Sequence, residues 1–303
     1  QYLFHLIAGY LWLQKRTKRF KLVHVNILTR TAIFASVLKN LTGLPYLITE
    51  HWSRYLPITN TYRGILRKIV TRYVVRRAGA ITVVTENLKN AMQRHGLHHK
   101  RFYIIPNVVD TNIFTPTFLN HSSKKLLHVS CFEDKSKNIS GLLRATQKLS
   151  HLRNDFELVL VGDGQDFQKI KEYSQNLHLE AYVTFTGLIE KEEKLAECYR
   201  QSCCLVMFSN YENMPVVINE SLACGKPVIA TRVGGIPEII DSAKGILIDP
   251  KNEDSLCEAM NYMLDHASEY DSQALRNYAV ENFSFSKVGE CFLKIYQEIK
   301  PIQ

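Results

Sequence analysis

The chain has 303 residues, 46% of them hydrophobic and 22% charged, enough to bury roughly three quarters of its unfolded surface in one or two domains without disulfide or metal staples. This excludes a disordered, collagen-like or mucin-like chain, and the longest apolar runs are strand-sized, far short of the ~18 to 20 residues that cross a bilayer as a helix. The net charge of +9 hides a split: residues 1–120 carry 18 Lys and Arg against three acids (Glu50, Glu86 and Asp110), a net of +15, and the rest carries 20 against 26, a net of −6, so the basic half expects an anionic partner.

In chain order, 2–20 reads as a helix with a Lys/Arg-rich tail. Strands at 22–28, 46–49, 80–84 and 102–105 then alternate with helices at 31–41, 62–77 and 86–95. The polar stretch 115–123 reads as a linker. Strands at 126–130, 157–161, 182–185, 204–208, 227–230 and 245–248 follow, with helices at 139–149, 167–176, 191–200, 216–224 and 256–264, and the last forty residues read as helix. Short β-rich runs alternating with amphipathic helices specify an α/β fold of parallel βαβ units. The expected division is a domain at 1–118, a second at 124–284, and a terminal helix at 285–303 returning to the first. The first domain is short for a complete doubly wound fold, and the chain opens on Gln1 with no visible signal peptide, so an N-terminal part is expected to be missing. Seven scattered cysteines without a CxxC pair point to a reducing cytosol rather than a disulfide framework or zinc site.

The most specific run is 209–231. It follows an apolar strand, turns at Asn210 and enters a helix near Pro215, where a missing N–H costs nothing. Glu212 falls in the loop at the helix mouth and Glu220 about a turn and a half inside. The N–H groups of Met214, Val216 and Val217, with the helix dipole, form an anion site suited to a diphosphate, and an acid at Glu220 can take both hydroxyls of a ribose. Against this stands a plainer reading, Glu212 as a capping acid and Glu220 as a solvated helix residue. His51 ends a strand, where ligands of open α/β sheets bind. Gly162-Asp163-Gly164 follows another strand, but Phe167 stands where a dinucleotide fingerprint needs its third glycine, so NAD is not expected. In the helix at 62–77, Ile65, Leu66, Ile69, Val70, Tyr73 and Val74 are expected to face the core and the intervening cations water or an anionic surface. No nucleic-acid-binding pattern accompanies the charge.

Glu212 and Glu220 at this spacing, followed by Gly225-Lys226-Pro227 and Gly234-Gly235-Ile236-Pro237-Glu238, resemble the retaining glycosyltransferases of family four. So do Ile104-Ile105-Pro106-Asn107-Val108-Val109-Asp110, Val83-Val84-Thr85-Glu86, Leu160-Val161-Gly162-Asp163-Gly164 and Phe185-Thr186-Gly187. The resemblance covers nearly all the chain. It implies GT-B, two Rossmann-like doubly wound domains facing a central crevice, with a nucleotide-sugar donor of UDP or GDP type in the second. It implies that Glu220 binds the ribose, that Glu212 and His51 lie beside the transferred sugar, that Gly162 and Gly164 lie near the donor, and that Leu188 lies against the base. It places a lysine and an arginine on the diphosphate. Lys137 matches the lysine, but Cys131 occupies the arginine's place, leaving Lys135, Arg232 or the helix N-terminus to compensate. The implied reaction transfers a hexose, with retention, to a saccharide or lipid-linked saccharide, with no cofactor and no metal. The chain contains no D-x-D motif. The +15 half suggests attachment to the anionic cytoplasmic face of a membrane. A non-catalytic module binding sugar nucleotides or polyanions is the alternative.

Overall fold

The structure, a computed structural model, describes residues 2–16, 20–28, 30–117 and 123–299; residues 118–122, the middle of the expected linker, lie outside it. The chain forms two compact units, one of residues 1–106 and 289–303, the other of residues 107–288.

The first unit contains helix α1 (Tyr2–Arg16), strand β1 (Val23–Asn26), α2 (Arg30–Thr42), β2 (Tyr46–Glu50), α3 (Ile65–Arg77), β3 (Ala80–Val83), α4 (Glu86–Arg94) and β4 (Phe102–Ile104). Its four strands form a wholly parallel sheet in the order β1-β2-β3-β4. Every residue of β2 and β3 is buried, as expected for a sheet covered on both faces. The Thr85 hydroxyl caps α4 by accepting from the Leu88 N–H, satisfying one of the helix's orphan donors.

The second unit contains β5 (Lys125–Val129), the short helix α5 (Asp134–Lys137), α6 (Ile139–Ser150), β6 (Glu157–Val161), α7 (Phe167–Asn176), β7 (Val183–Gly187), α8 (Glu192–Gln201), β8 (Cys204–Met207), α9 (Val216–Ala223), β9 (Val228–Thr231), β10 (Gly245–Ile248), α10 (Glu253–His266) and α11 (Ser272–Phe283). The parallel sheet runs β10-β9-β8-β5-β6-β7. The chain winds one way from β5 to β7 and the other way from β8 to β10, so the order reverses between β5 and β8. A crevice opens at the carboxyl ends of strands at such a point. Beneath it, Leu126, Leu158, Leu160 and Val206 of the strands pack with Leu142, Leu143, Met260 and Met263 of α6 and α10.

Two features differ from the sequence-based expectation, the end of the first unit and the orientation of helix α3. The first unit ends at Pro106, because 107–117 is bonded into the second: the Val109 N–H donates to the Phe283 carbonyl at 2.9 Å, and the Arg276 guanidinium reaches the Phe114, Ala223 and Thr111 carbonyls. The last helix, α12 (Phe285–Glu298), passes at Gly289 into the residues grouped with the first unit. There the Arg101 guanidinium donates to the Glu298 carbonyl at 3.0 Å, and the Tyr296 hydroxyl lies 2.8 Å from His24 Nδ1. Helix α3 buries Val74, one of the residues expected in the core, together with Thr71 and Val75, whereas Ile65, Leu66, Ile69 and Tyr73, also expected there, face outward. All seven cysteines are unbridged, and among the described residues no helix is long and apolar enough to cross a membrane.

Candidate active site

The loops after β5 and β8 meet at the point where the strand order reverses. Asn210 fastens them: its N–H donates to the Ser136 carbonyl at 2.8 Å and its side-chain amide to the Lys135 carbonyl at 3.1 Å. Across this junction the Lys137 ammonium donates to Glu212 Oε1 at 2.5 Å, and the Ser209 hydroxyl donates to the same oxygen at 2.9 Å. The two side chains are 17% and 9% exposed, so the pair is largely shielded and each partner depends on the other. Glu212 is therefore not a capping acid. Pro215 occupies the cap position of α9 without a side-chain bond, and the Val216 and Val217 N–H groups stand in the first turn, where a helix has no internal acceptors for them.

Backbone contact fixes this loop. Gly234 has φ +57°, and a Cβ there would come within 1.9 Å of the Glu212 carbonyl oxygen, while the Gly235 N–H donates to the Asn213 carbonyl at 2.9 Å. Only glycine permits that approach. Met214 is buried, and its carbonyl accepts from the Asn107 side-chain amide at 2.8 Å; the Asn107 carbonyl in turn accepts from the Asn219 amide at 2.8 Å. These two asparagines hold the mouth of α9, a role that sequence reading did not assign although Asn107 lies in a quoted motif.

Gly162 and Gly164 serve a neighbouring contact. A Cβ at Gly162 would lie 1.9 Å from the Ser130 carbonyl and one at Gly164 2.7 Å from the Phe132 nitrogen. The Phe132 N–H donates to the Asp163 carbonyl at 2.9 Å and the Asp166 N–H to the Phe132 carbonyl at 3.0 Å. The glycines thus admit the loop after β5, and that loop leads into α5 and Lys137. Leu188 follows the outermost strand on that side, β7, and is 65% exposed. Glu220 is half-buried rather than solvated. The Tyr199 hydroxyl donates to Glu220 Oε2 at 2.7 Å, and burial raises the carboxyl above its ordinary range, with the Tyr199 bond opposing and the Glu192 charge adding to the rise. Cys131 and Lys135 are exposed, and the Arg232 guanidinium lies 3.9 Å from Asp249.

In the first unit His51 follows the carboxyl end of β2, half-buried, and burial lowers its basicity. Glu50, which sequence reading passed over, organises that end. Fully buried, it accepts from the Leu28 N–H at 2.8 Å, the His51 N–H at 3.0 Å and the Trp52 N–H at 2.9 Å. Burial pushes its carboxyl up and those three donors oppose the shift. Behind it His24 Nε2 meets the Thr49 hydroxyl at 2.6 Å, and burial followed by the charge of His51 lowers the basicity of His24.

His128, inside β5, was equally illegible in the sequence. It is completely buried, and Nδ1 lies 2.8 Å from the Val206 carbonyl, a pure acceptor, so that nitrogen carries the proton. Nε2 then accepts from the Ser130 hydroxyl at 2.8 Å. Burial, against the Val206 bond and with Lys137's charge adding, depresses the imidazole to about 4. Among the described residues no group of three or more His, Cys, Asp and Glu side chains is placed to hold a metal ion.

A parallel sheet whose strand order reverses at a helix N-terminus is the architecture in which open α/β proteins bind their ligands, nucleotides among them. The family model described as "Glycosyl transferases group 1" matches residues 109–281, and the model "Glycosyltransferase Family 4" matches residues 2–113. The chain belongs to this glycosyltransferase family. Over 178 residues it is 32% identical to N-acetyl-alpha-D-glucosaminyl L-malate synthase of Bacillus anthracis, a match spanning 56% of this chain and 45% of that protein. It is 27% identical to an uncharacterized glycosyltransferase of Methanocaldococcus jannaschii, over 92% of this chain and 75% of the other. The fold matches Anabaena HepE, solved in complex with UDP, with a TM-score of 0.80 at 17% identity, covering 92% of this chain and 79% of that one. It also matches sucrose-phosphate synthase of Thermosynechococcus elongatus, with a TM-score of 0.79 at 22% identity, over 92% and 74%.

Two outcomes follow from the geometry. Replacing Lys137 by Met strands the Glu212 carboxylate and lowers stability by about 3 kcal/mol, and adding Glu212→Gln restores most of the loss; urea unfolding of the two single variants and the double variant measures the coupling. His128 is held neutral in the fold, whereas the unfolded chain takes up a proton near pH 6.5. Its contribution is therefore fully present above pH 6.5 and declines as pH falls toward about 4, by roughly 3 kcal/mol in all. Urea midpoints from pH 7.5 to 4 will fall more steeply in the wild type than in His128→Gln.

Proposed function

We propose that the protein is a retaining hexosyltransferase, moving a hexose from a nucleotide-sugar to a saccharide or lipid-linked saccharide acceptor. The single observation that carries this reading is the Lys137–Glu212 pair at the mouth of α9, with Glu220 farther along the same helix. In this reading the diphosphate takes the N–H groups of Met214, Val216 and Val217 and shares the Lys137 ammonium, stabilising the leaving group as the glycosidic bond breaks. Glu220 accepts hydrogen bonds from the ribose, Leu188 lies against the base, and Glu212 and His51 contact the transferred sugar. Gly162 and Gly164 act indirectly, by seating the loop that carries Lys137. HepE has been solved with UDP and glucose and with UDP-glucose, which favours a UDP-type donor here over a GDP-type one.

The leaving phosphate helps to take the acceptor's proton on the face where the bond breaks, so the reaction needs no separate base. The chemistry assigned to lysine and N–H groups also needs no metal ion and no other cofactor. The first unit, with its cationic surface, receives the acceptor at the anionic cytoplasmic face of a membrane, where attraction of ~1 kcal/mol per cation gives reversible, peripheral attachment. The second reading, a sugar-nucleotide or polyanion-binding module without turnover, is favoured by one observation: the exposed thiol of Cys131 stands where the resemblance calls for an arginine.

Glu220→Ala is expected to weaken donor binding by ~1 to 3 kcal/mol through loss of charge-assisted hydrogen bonds to the ribose, with Glu212→Ala mainly slowing transfer. Titration calorimetry with UDP-glucose and GDP-mannose reads the first effect, and equal affinity in wild type and Glu220→Ala would remove the ribose assignment. Transfer is expected to persist in EDTA; a loss that Mg²⁺ or Mn²⁺ restores would overturn the metal-free chemistry. Donor binding without any transfer to a panel of saccharide and lipid-linked acceptors would establish the second reading.

A further inference from the structure

Among the described residues, the outward face of α3 is largely uncovered. Ile65, Leu66, Ile69 and Tyr73 are 80, 75, 59 and 50% exposed, while Thr71, Val74 and Val75 are buried. At 3.6 residues per turn the four exposed side chains fall within an arc of about 100°, opposite the buried three. A soluble helix normally shows the reverse arrangement.

The stripe continues onto the preceding loop, where Ile58 is 63% and Trp52 42% exposed. Loop and helix form one surface: the Thr59 and Thr61 hydroxyls donate to the Arg54 carbonyl at 3.0 and 3.2 Å, Arg63 donates to the Asn60 side chain at 3.2 Å, and Arg67 donates to the Thr61 carbonyl at 3.3 Å. Cations border the apolar side chains throughout. The Arg54 guanidinium stacks 4.4 Å from the centre of the Trp52 ring and Arg77 lies 5.5 Å from that of Tyr73, while Arg63, Arg67 and Arg76 are exposed. Residues 1–106 contain two acids. Glu50 is buried, and Glu86 is 3.0 Å from Lys89.

An apolar ridge with cations on its flanks, and almost no acid in the surrounding sequence, complements the boundary where anionic headgroups meet acyl chains. We propose that Ile65, Leu66 and Ile69, with Ile58 and Trp52, insert into the acyl boundary of an anionic phospholipid bilayer while the flanking arginines hold its phosphates. The inference rests on the membrane reading above and deepens it. Charge alone gives attachment that salt dissolves, whereas an inserted stripe adds burial that salt does not screen.

Flotation of the full chain with phosphatidylglycerol-containing and pure phosphatidylcholine vesicles, at ~0.15 and ~0.5 M salt, tests it. The comparison is between wild type and the Ile65→Ser/Leu66→Ser/Ile69→Ser variant, with circular dichroism and thermal melts checking that both are folded. Wild type should bind anionic vesicles, keep part of that binding at high salt, and show Trp52 emission quenched by brominated acyl chains in a Trp12→Phe background. The serine variant should bind about tenfold more weakly at low salt, not at all at high salt, and without quenching. Equal binding by the variant, or complete loss of wild-type binding at high salt, would overturn insertion and leave electrostatic docking intact. Absence of wild-type binding to any vesicle would overturn both. A dimer in solution that the serine variant abolishes, without vesicle binding, would assign the stripe to a second copy of the chain instead.

Discussion

The second unit depends on one shielded ion pair. Lys137 reaches Glu212 only because the loops after β5 and β8, far apart in sequence, emerge side by side where the strand order reverses. Each partner comes from a segment with little regular structure of its own: α5 has four residues, and the 208–215 loop has none. What holds them is main-chain bonding, through Asn210 on one side and Gly234 on the other. The charge pair and this backbone lattice require each other. A buried carboxylate without its cation would force the loop open, and a loop without its backbone contacts could not keep the carboxylate within reach of the ammonium.

Much of this was legible in the sequence. The ten strands among the described residues lie where β-rich runs predicted them, with ends shifted by a residue or two, because parallel strands, the central ones buried on both faces, write themselves as short apolar segments. Motif spacing singled out the glutamate pair, Lys137 and the helix mouth, and the structure brings Lys137 and Glu212 together. Other features had no local signal. Helix α5 is too short for periodicity and is held by distant bonds, such as that from the Asp134 N–H to Asp166 at 2.8 Å. The 107–117 segment begins in a quoted motif but has no periodicity that assigns it to either unit, and it joins the second through Arg276, about 160 residues away in the chain. Glu50 and His128 are polar residues inside strands, and only tertiary structure shows that each is enclosed by partners matched to its lone pairs and protons.

Helix α3 shows how a correct secondary-structure assignment can carry a wrong orientation. Its apolar residues lie on two opposite faces, and the rule that apolar side chains turn inward cannot choose between them. Packing chose Thr71, Val74 and Val75, helped by the Thr71 hydroxyl, which bonds to Tyr62 and to the Arg67 carbonyl. The larger aliphatic side chains were left outside with the arginines. The charge imbalance could be counted in the sequence in advance, whereas this exposed stripe could not.

The close approaches at Gly162, Gly164 and Gly234 separate shape from chemistry. The loops at the switch point are spaced by peptide groups lying against peptide groups, so the dimensions of this part of the second unit are set before its side chains are chosen. Exposed side chains near these loops, Leu188 and Cys131 among them, can then be exchanged at little cost to the frame. Such a scaffold tolerates single substitutions of exposed residues while the three glycines stay immovable. Replacing a glycine would not adjust a surface; it would remove the spacing on which every such variant relies.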